Sequence, residues 1–224
     1  MTQSFKGALL FDIDGTLTDT DPIHIRAFNM MLAQFGQSIS HEDYCAKVMG
    51  FTNAQIMRGF FPEMPESEHK RLADWKEAKF RDLAKADLVP TPGLMDLMDW
   101  AQAANIPMAA VTNAPTANAE LILTGLSLKH RFKTIVIGDD LPRGKPDPMP
   151  YLVAGERLGL ECRHCIAFED SRSGMRSANS AGAYAIGVLS SLPEDELIKV
   201  GARFGVKDFT DSRLRPLILR HLAG

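Results

Sequence analysis

Residues 6–16 read KGALLFDIDGT, an apolar run that ends in two aspartates, a glycine and a threonine. A short apolar run closed by an acid is typical of a strand buried in a parallel sheet. Side chains two residues apart on an extended chain point the same way, so Asp12 and Asp14 are predicted to face one ligand. Gly15 permits the tight turn that must follow. Because one carboxylate can be a nucleophile while the other handles protons, this segment predicts a catalytic site.

Downstream of residue 88, strand-like runs alternate with helical patterns. The runs cover residues 108–112, 134–138, 165–168 and 184–188, and helical patterns separate them and end the chain at 212–222. This alternation predicts an α/β fold with a parallel sheet and helices on both faces.

The intervening stretch has a different pattern, in which helix signals follow one another without a convincing strand. Asp21-Pro22 is predicted to be an N-cap with proline at the first helical position, and residues 40–43 and 52–55 are typical capping boxes. We therefore expect an α/β core of residues 1–18 and 89–224, interrupted by an all-helical insertion of residues 19–88.

Polar groups also follow the later predicted strands, where ligands bind in parallel sheets. Thr112 and Asn113 precede a helix that opens at Pro115, and a hydroxyl with free backbone N–H groups there suits a phosphate. Lys145, in the segment GKPDP, could neutralise both a phosphate and a nearby carboxylate.

Glu169 and Asp170 follow the run at 165–168 and, with Asp12, could form an all-oxygen Mg²⁺ site. The ion would offset the repulsion between a carboxylate nucleophile and a phosphate dianion. Taken singly, these groups are common as turn residues, solvated lysines or acidic loops. Their joint occurrence at four strand ends is the informative feature.

The segments DxDGT, Thr112, GKPDP and ED together resemble the four motifs of the haloacid dehalogenase superfamily, in its phosphatase and phosphomutase branch. The resemblance implies a Rossmann-like parallel-sheet core with an inserted helical cap, similar to the C1 cap of the β-phosphoglucomutase-like subfamily. It also implies that Asp12 attacks phosphorus, and that Asp14 protonates the leaving oxygen and later deprotonates water.

The resemblance further implies the binding groups. Thr112, Asn113 and Lys145 are expected to bind the phosphoryl group, with Gly15 shaping the loop. The expected Mg²⁺ ligands are Asp170, the Asp12 carboxylate and the Asp14 backbone carbonyl, with Glu169 beside them.

The cap helps to separate a phosphatase from a mutase. His24 stands where β-phosphoglucomutases have a histidine coupled to acid/base chemistry, although a surface helix residue is an equally good interpretation. Met49 and Asn53 occupy positions where those mutases have a lysine and an arginine that grip a second phosphate. Losing two cations there favours a phosphatase. We expect Met49, Phe51 and Asn53 to face the leaving group.

Two other classes stay open. A receiver-like signalling module is also phosphorylated on a strand-end aspartate, but Asp14 would shorten the life of its phosphoaspartate. A non-catalytic sensor of a phosphate ligand is the other, although every expected catalytic position is filled.

The composition of the chain indicates which partners and which cellular compartment to expect. The 224 residues are 45% hydrophobic with a net charge of −3, which predicts no nucleic-acid partner. No apolar run reaches the roughly 18 residues that span a bilayer, so no membrane partner is expected. Three cysteines cannot all pair, which fits a reducing compartment and predicts a cytoplasmic protein. We expect a monomer whose partner is a small-molecule phosphate ester.

Overall fold

The strands of the computed structural model, which describes residues 5–223, form one parallel sheet. They are β1 Leu9–Phe11, β2 Met108–Thr112, β3 Thr134–Ile137, β4 Ile166–Glu169, β5 Tyr184–Val188 and β6 Gly205–Val206. Their order is β3-β2-β1-β4-β5-β6, and β1 pairs with both β2 and β4. The order therefore reverses at β1, and a crevice for ligands opens beyond its carboxyl end. The predicted α/β class is confirmed.

Ten α-helices are assigned in residues 5–223. Those between β1 and β2 are α1 Asp21–Leu32, α2 His41–Lys47, α3 Asn53–Phe60, α4 Glu66–Asp87 and α5 Leu94–Ala103. Those that follow are α6 Thr116–Gly125, α7 Met149–Leu158, α8 Arg172–Ser180, α9 Glu194–Lys199 and α10 Leu214–Leu222. Residues 19–88 hold α1–α4 and no strand. We refer to residues 19–88 as the helical segment.

The core lies in two apolar layers, because alternate side chains of each strand point to opposite faces of the sheet. Leu9 and Phe11 pack in a layer with residues of α5, α6 and α10. Leu10 packs in the other layer with residues of α7 and α8, and this layer continues into the helical segment through Phe28 and Met57. Within residues 5–223, no helix has the combination of length and hydropathy that a membrane crossing requires.

The start of α1 differs from the prediction by one residue. Asp21 is the first helical residue and Thr20 occupies the N-cap position, so the assignment of Asp21 as N-cap is wrong. The Thr20 hydroxyl makes no capping bond and donates instead to Asp14. The other two predicted starts are present, since Ser40 accepts from the backbone of Asp43 and Thr52 forms a full capping box.

The sequence patterns do not predict α9 or β6. Helix α9 has only six residues, and three of them are consecutive acids after Pro193. Strand β6 has two residues, one of them a glycine, and pairs only with β5. Elements this short carry too little periodicity to be recognised.

Candidate active site

The Asp12 carboxylate lies at the centre of the crevice, directly after β1. Only 6% of the residue is exposed. Lys145 Nζ donates to Asp12 Oδ1 at 2.6 Å, to Glu169 Oε1 at 2.6 Å and to the Val111 carbonyl at 2.7 Å. All three ammonium protons are therefore used, and Lys145 fixes the nucleophile candidate against the ends of β2 and β4.

Burial governs the electrostatics of this cluster. It raises the pKa of Asp12 well above its usual value, with Glu169 and Asp14 adding to the rise and Lys145 opposing it. Burial likewise raises the pKa of Asp170. For Lys145, burial would lower the pKa, but the charges of Asp12 and Glu169 outweigh it and raise the pKa above its usual value. One lysine faces three carboxyl groups, so the ionised cluster has an excess of negative charge.

The donor set fits a hard divalent cation. Asp12, Glu169 and Asp170 each offer a carboxylate oxygen, and these oxygens lie within 4.8 Å of one another. Oxygen-only ligands are the preference of Mg²⁺ and Ca²⁺. Gly15 makes this approach possible: it has a φ of +75°, and a Cβ at that position would lie 2.1 Å from Asp170 Oδ2.

Glu169 has a second role visible in its contacts. It is fully buried and accepts from Lys145 Nζ and from the hydroxyl of Tyr151. Tyr151, on α7, is a site residue that the sequence patterns do not identify. A Cβ on Gly174 would lie 2.0 Å from Glu169 Oε2, so the start of α8 is also shaped around this side chain.

Asp14 is held by two residues of the helical segment. The Thr20 hydroxyl donates to Asp14 Oδ1 at 2.8 Å, and His24 Nε2 lies 3.4 Å from the same oxygen. The His24 ring stacks on Phe80 at 3.8 Å between centroids, and its side chain is 12% exposed. His24 is therefore a mostly buried residue whose ring contacts Asp14.

The segment after β2 lines the pocket and also makes hydrogen bonds within the protein that the sequence does not predict. Thr112 is buried, and its hydroxyl accepts from the Ala114 backbone at 2.9 Å. The Asn113 amide donates to the Lys145 carbonyl at 3.0 Å and accepts from the Lys145 backbone at 2.9 Å. The Asn113 side chain thus holds the loop that carries Lys145.

The catalytic candidates and the helical segment enclose one pocket of about 100 Å³. Residues from both sides line it: Asp12, Asp14, Thr112, Lys145 and Asp170 from the sheet edge, and His24, Met49, Phe51, Asn53, Lys76 and Glu77 from the helical segment. The three residues predicted to face the leaving group are therefore at the pocket wall.

Lys76 and Glu77 are lining residues that the sequence patterns do not identify. Both are almost fully buried, and Lys76 Nζ lies 2.5 Å from Glu77 Oε1. Burial opposes the Glu77 charge, but Lys76, His24 and a hydrogen bond from Asn118 outweigh it and lower the Glu77 pKa to about 2. The pocket therefore has a neutral ion pair at its far end.

The helical segment closes over the pocket through direct contacts with α8. The Ser173 hydroxyl donates to the Gly50 carbonyl at 2.9 Å, and Arg172 donates to the Cys45 carbonyl at 3.3 Å. Gly50 has a φ of +79°, and a Cβ there would lie 2.2 Å from Ser173 Oγ. Glycine is thus needed for this close approach.

Comparison with known proteins finds a matching protein family and similar proteins. A family model described as haloacid dehalogenase-like hydrolase matches residues 9–188. A phosphorylated carbohydrates phosphatase from Thermotoga maritima is 32% identical over 202 residues, which are 87% of this chain and 91% of the relative.

Two solved structures are similar over almost the whole chain. A HAD hydrolase of family IA, variant 3, from Entamoeba histolytica has a TM-score of 0.86 and 30% identity, covering 97% of this chain and 100% of its own. CbbY from Rhodobacter sphaeroides, in complex with xylulose-(1,5)bisphosphate, has a TM-score of 0.79 and 26% identity, covering 93% and 96%.

Proposed function

Since this chain belongs to the haloacid dehalogenase-like hydrolase family, we propose that it is a Mg²⁺-dependent phosphatase of a small phosphorylated metabolite, of the sugar phosphate or phosphoglycolate type, acting through an aspartyl-phosphate on Asp12. The observation that carries the proposal is the pair of carboxylates at the end of β1. Asp12 is buried against Lys145, and Asp14, two residues on, is held at the same pocket by Thr20 and His24.

The proposed reaction has two steps. Asp12 attacks phosphorus, the bond to the leaving oxygen breaks, and Asp14 gives that oxygen a proton. Asp14 then takes a proton from water, which attacks the aspartyl-phosphate, releases inorganic phosphate and regenerates Asp12. Thr112, Asn113 and Lys145 would bind the phosphoryl group, and Lys145 would do so by giving up its bond to Asp12 Oδ1 once that carboxylate bonds phosphorus. Asp12 and Asp170, with Glu169 beside them, would hold the Mg²⁺, which supplies charge compensation for the phosphate.

Charge at the far end of the pocket favours a phosphatase over a phosphomutase. A mutase must bind a bisphosphate in two orientations, so a second phosphate needs cations there. Among the lining residues that the structure describes, the only lysines or arginines are Lys76 and Lys145. Both are already paired with carboxylates, Lys76 with Glu77 and Lys145 with Asp12 and Glu169. A leaving group without a second phosphate suits this pocket better.

Pocket size supports a moving cap. Ligand pockets usually measure about 300–1,000 Å³, whereas this one measures about 100 Å³ and is closed by the contacts of Gly50 and Cys45 with α8. We infer that substrate enters when the helical segment, acting as a cap of residues 19–88, swings away from the core of residues 1–18 and 89–224.

The function is tested by Mg²⁺-dependent phosphate release across a panel of sugar phosphates, phosphoglycolate and nucleotides. β-Glucose 1-phosphate belongs in the panel, with its conversion to glucose 6-phosphate followed in parallel. Multiple turnover of one or a few esters is expected. Isomerisation without free phosphate would instead identify a mutase.

Asp14→Asn is expected to lower kcat by roughly 10²–10⁴-fold while leaving KM within a few-fold. Asparagine keeps the shape and can still accept from Thr20, but it cannot give or take the proton. Steady-state kinetics measure the separate effects on kcat and KM. An aryl phosphate, whose leaving group needs no proton, should still phosphorylate Asp12 in this variant; unchanged kcat on an alkyl phosphate would show that Asp14 is not the acid.

Mg²⁺ is expected to stabilise the fold, because it compensates the excess of buried carboxylates around Asp12. At 100 times its Kd the gain is about 2.7 kcal/mol, which corresponds to a Tm rise of roughly 5–10 °C for a chain of this size. Thermal unfolding in EDTA and in Mg²⁺ measures it. Asp170→Asn should remove most of the Mg²⁺-induced rise in Tm. The control Asp140→Asn changes an exposed acid elsewhere in the chain and should keep the rise. An equal rise in both variants would show that the ion binds elsewhere.

A further inference from the structure

A second cluster of potential metal ligands lies beside the active site, at the junction of α1 and α2. Asp21, His41 and Cys45 each offer one ligand atom, and the three atoms lie within 4.8 Å of one another. Asp21 opens α1, and His41 and Cys45 stand four residues apart on α2, so the helix presents them on one side. None of the three has a role in the proposed phosphatase chemistry.

The ligand types differ from those around Asp12. A thiol, an imidazole and a carboxylate suit a borderline cation such as Zn²⁺, whereas Mg²⁺ takes oxygen ligands. From the usual Zn–S and Zn–N bond lengths, a tetrahedral site places the sulfur and nitrogen about 3.6 Å apart. Cys45 Sγ lies 3.8 Å from His41 Nδ1 and 3.9 Å from Nε2.

Access and support are both present. His41 is exposed while Asp21 and Cys45 are buried, so an ion can enter past the imidazole, and either ring nitrogen can turn to it. The backbone carbonyl of Ser191, from the loop after β5, accepts a hydrogen bond from the Cys45 thiol at 3.8 Å. The Ser191 hydroxyl donates to the Asp21 carboxylate and lies 3.4 Å from Asp170 Oδ2.

We propose that Asp21, His41 and Cys45, with the backbone carbonyl of Ser191 as the fourth ligand, form a Zn²⁺ site that is separate from the Mg²⁺ cluster. Because the first three ligands belong to the helical segment and Ser191 belongs to the core, the ion would link the two. On binding, the Cys45 thiol releases to solvent the proton that it now donates to the Ser191 carbonyl, and the thiolate sulfur and the carbonyl oxygen would both bond the cation. The ion joins α1 and α2 at the place where the Cys45 carbonyl also accepts from Arg172 of the core. Zn²⁺ therefore slows cap opening and turnover; this consequence rests on the proposed function, and the metal site does not.

Binding is tested on the whole chain with Co²⁺ as a spectroscopic probe and Zn²⁺ as competitor, in saturating Mg²⁺ so that the acidic cluster is filled. The wild type is expected to take up one Co²⁺ with a thiolate-to-cobalt charge-transfer band that Zn²⁺ removes. Cys45→Ser should lose the band, and His41→Ala should weaken binding by at least about tenfold. Cys162→Ser, which changes another buried thiol, should keep it.

A wild-type chain without the band, or a band that survives in Cys45→Ser, would overturn the site and leave the sulfur–imidazole contact as a hydrogen bond. Because His41 is exposed, His41→Ala is expected to fold even if Cys45→Ser does not. In the activity assay, Zn²⁺ should lower the wild-type kcat by roughly fivefold or more and leave kcat in His41→Ala nearly unchanged. Binding without this inhibition would overturn the link to cap opening alone.

Discussion

Asp12→Asn is expected to lower phosphatase turnover by at least about 10⁴-fold, the scale on which the loss of a covalent nucleophile acts. The amide nitrogen and oxygen are too weakly nucleophilic to attack phosphorus, while the shape of the side chain is unchanged. The variant should fold normally, because Lys145 keeps its bonds to Glu169 and the Val111 carbonyl. Phosphate release at saturating Mg²⁺ and substrate measures the effect.

Asp19→Asn is the matched control, since Asp19 is an exposed aspartate of the same loop and should retain full activity. Equal Tm values for the two variants would show that the loss at residue 12 is chemical. A phosphorylated wild-type chain, trapped during turnover by rapid acid quench and mapped by mass spectrometry, should carry the group on Asp12. Activity retained by Asp12→Asn would contradict covalent catalysis at this residue.

The parallel sheet and the site at its edge could be predicted because both depend on local patterns. The acidic candidates and Thr112 lie at or directly after the ends of apolar runs, and Lys145 lies in the loop that follows β3. Parallel strands bring such positions to one edge whatever the order of the strands. Asp12 and Lys145 are 133 positions apart in the chain, yet their side chains meet at 2.6 Å. The sequence predicts that Lys145 lies close to the carboxylate of Asp12. It does not predict the partners of other polar side chains, such as the bonds of the Asn113 amide to the Lys145 backbone.

The site residues that the sequence patterns do not identify, such as Lys76 and Tyr151, reach the site through packing between helices and strands. Lys76 lies in a helix with many charged residues, so its charge alone does not distinguish it. A usable signal was its spacing: Leu72, Lys76 and Phe80 are four residues apart, so Lys76 interrupts the apolar side of α4. A lysine in that place must be paired, and Glu77 supplies the charge. Tyr151 offered no such signal, because a tyrosine in an apolar helix face is ordinary core.

Lys145→Met is expected to destabilise the fold by about 3–5 kcal/mol in EDTA, as removal of one partner of a buried ion pair does. Methionine has a similar volume but leaves Asp12 and Glu169 without their cation, and the Val111 carbonyl without its donor. Urea unfolding measures the loss. Lys47→Met is the matched control, because Lys47 pairs with Asp43 on the exposed side of α2 and its loss should change little.

The loss in Lys145→Met should also depend on pH, and its direction follows from the buried carboxyls. Burial already raises the pKa of Asp12, and without Lys145 the pKa rises further. A carboxyl with a raised folded-state pKa holds more protons folded than unfolded, so stability falls as pH rises from its unfolded pKa through its folded one. The difference in unfolding free energy between Lys145→Met and the wild type should therefore shrink toward pH values of about 4.

Glu169→Gln added to Lys145→Met should recover part of the stability, because it removes one of the two carboxylates left without a cation. If this stability difference widens at low pH, or if the double variant is no more stable than Lys145→Met, then Lys145 stabilises the fold by packing and not by charge compensation.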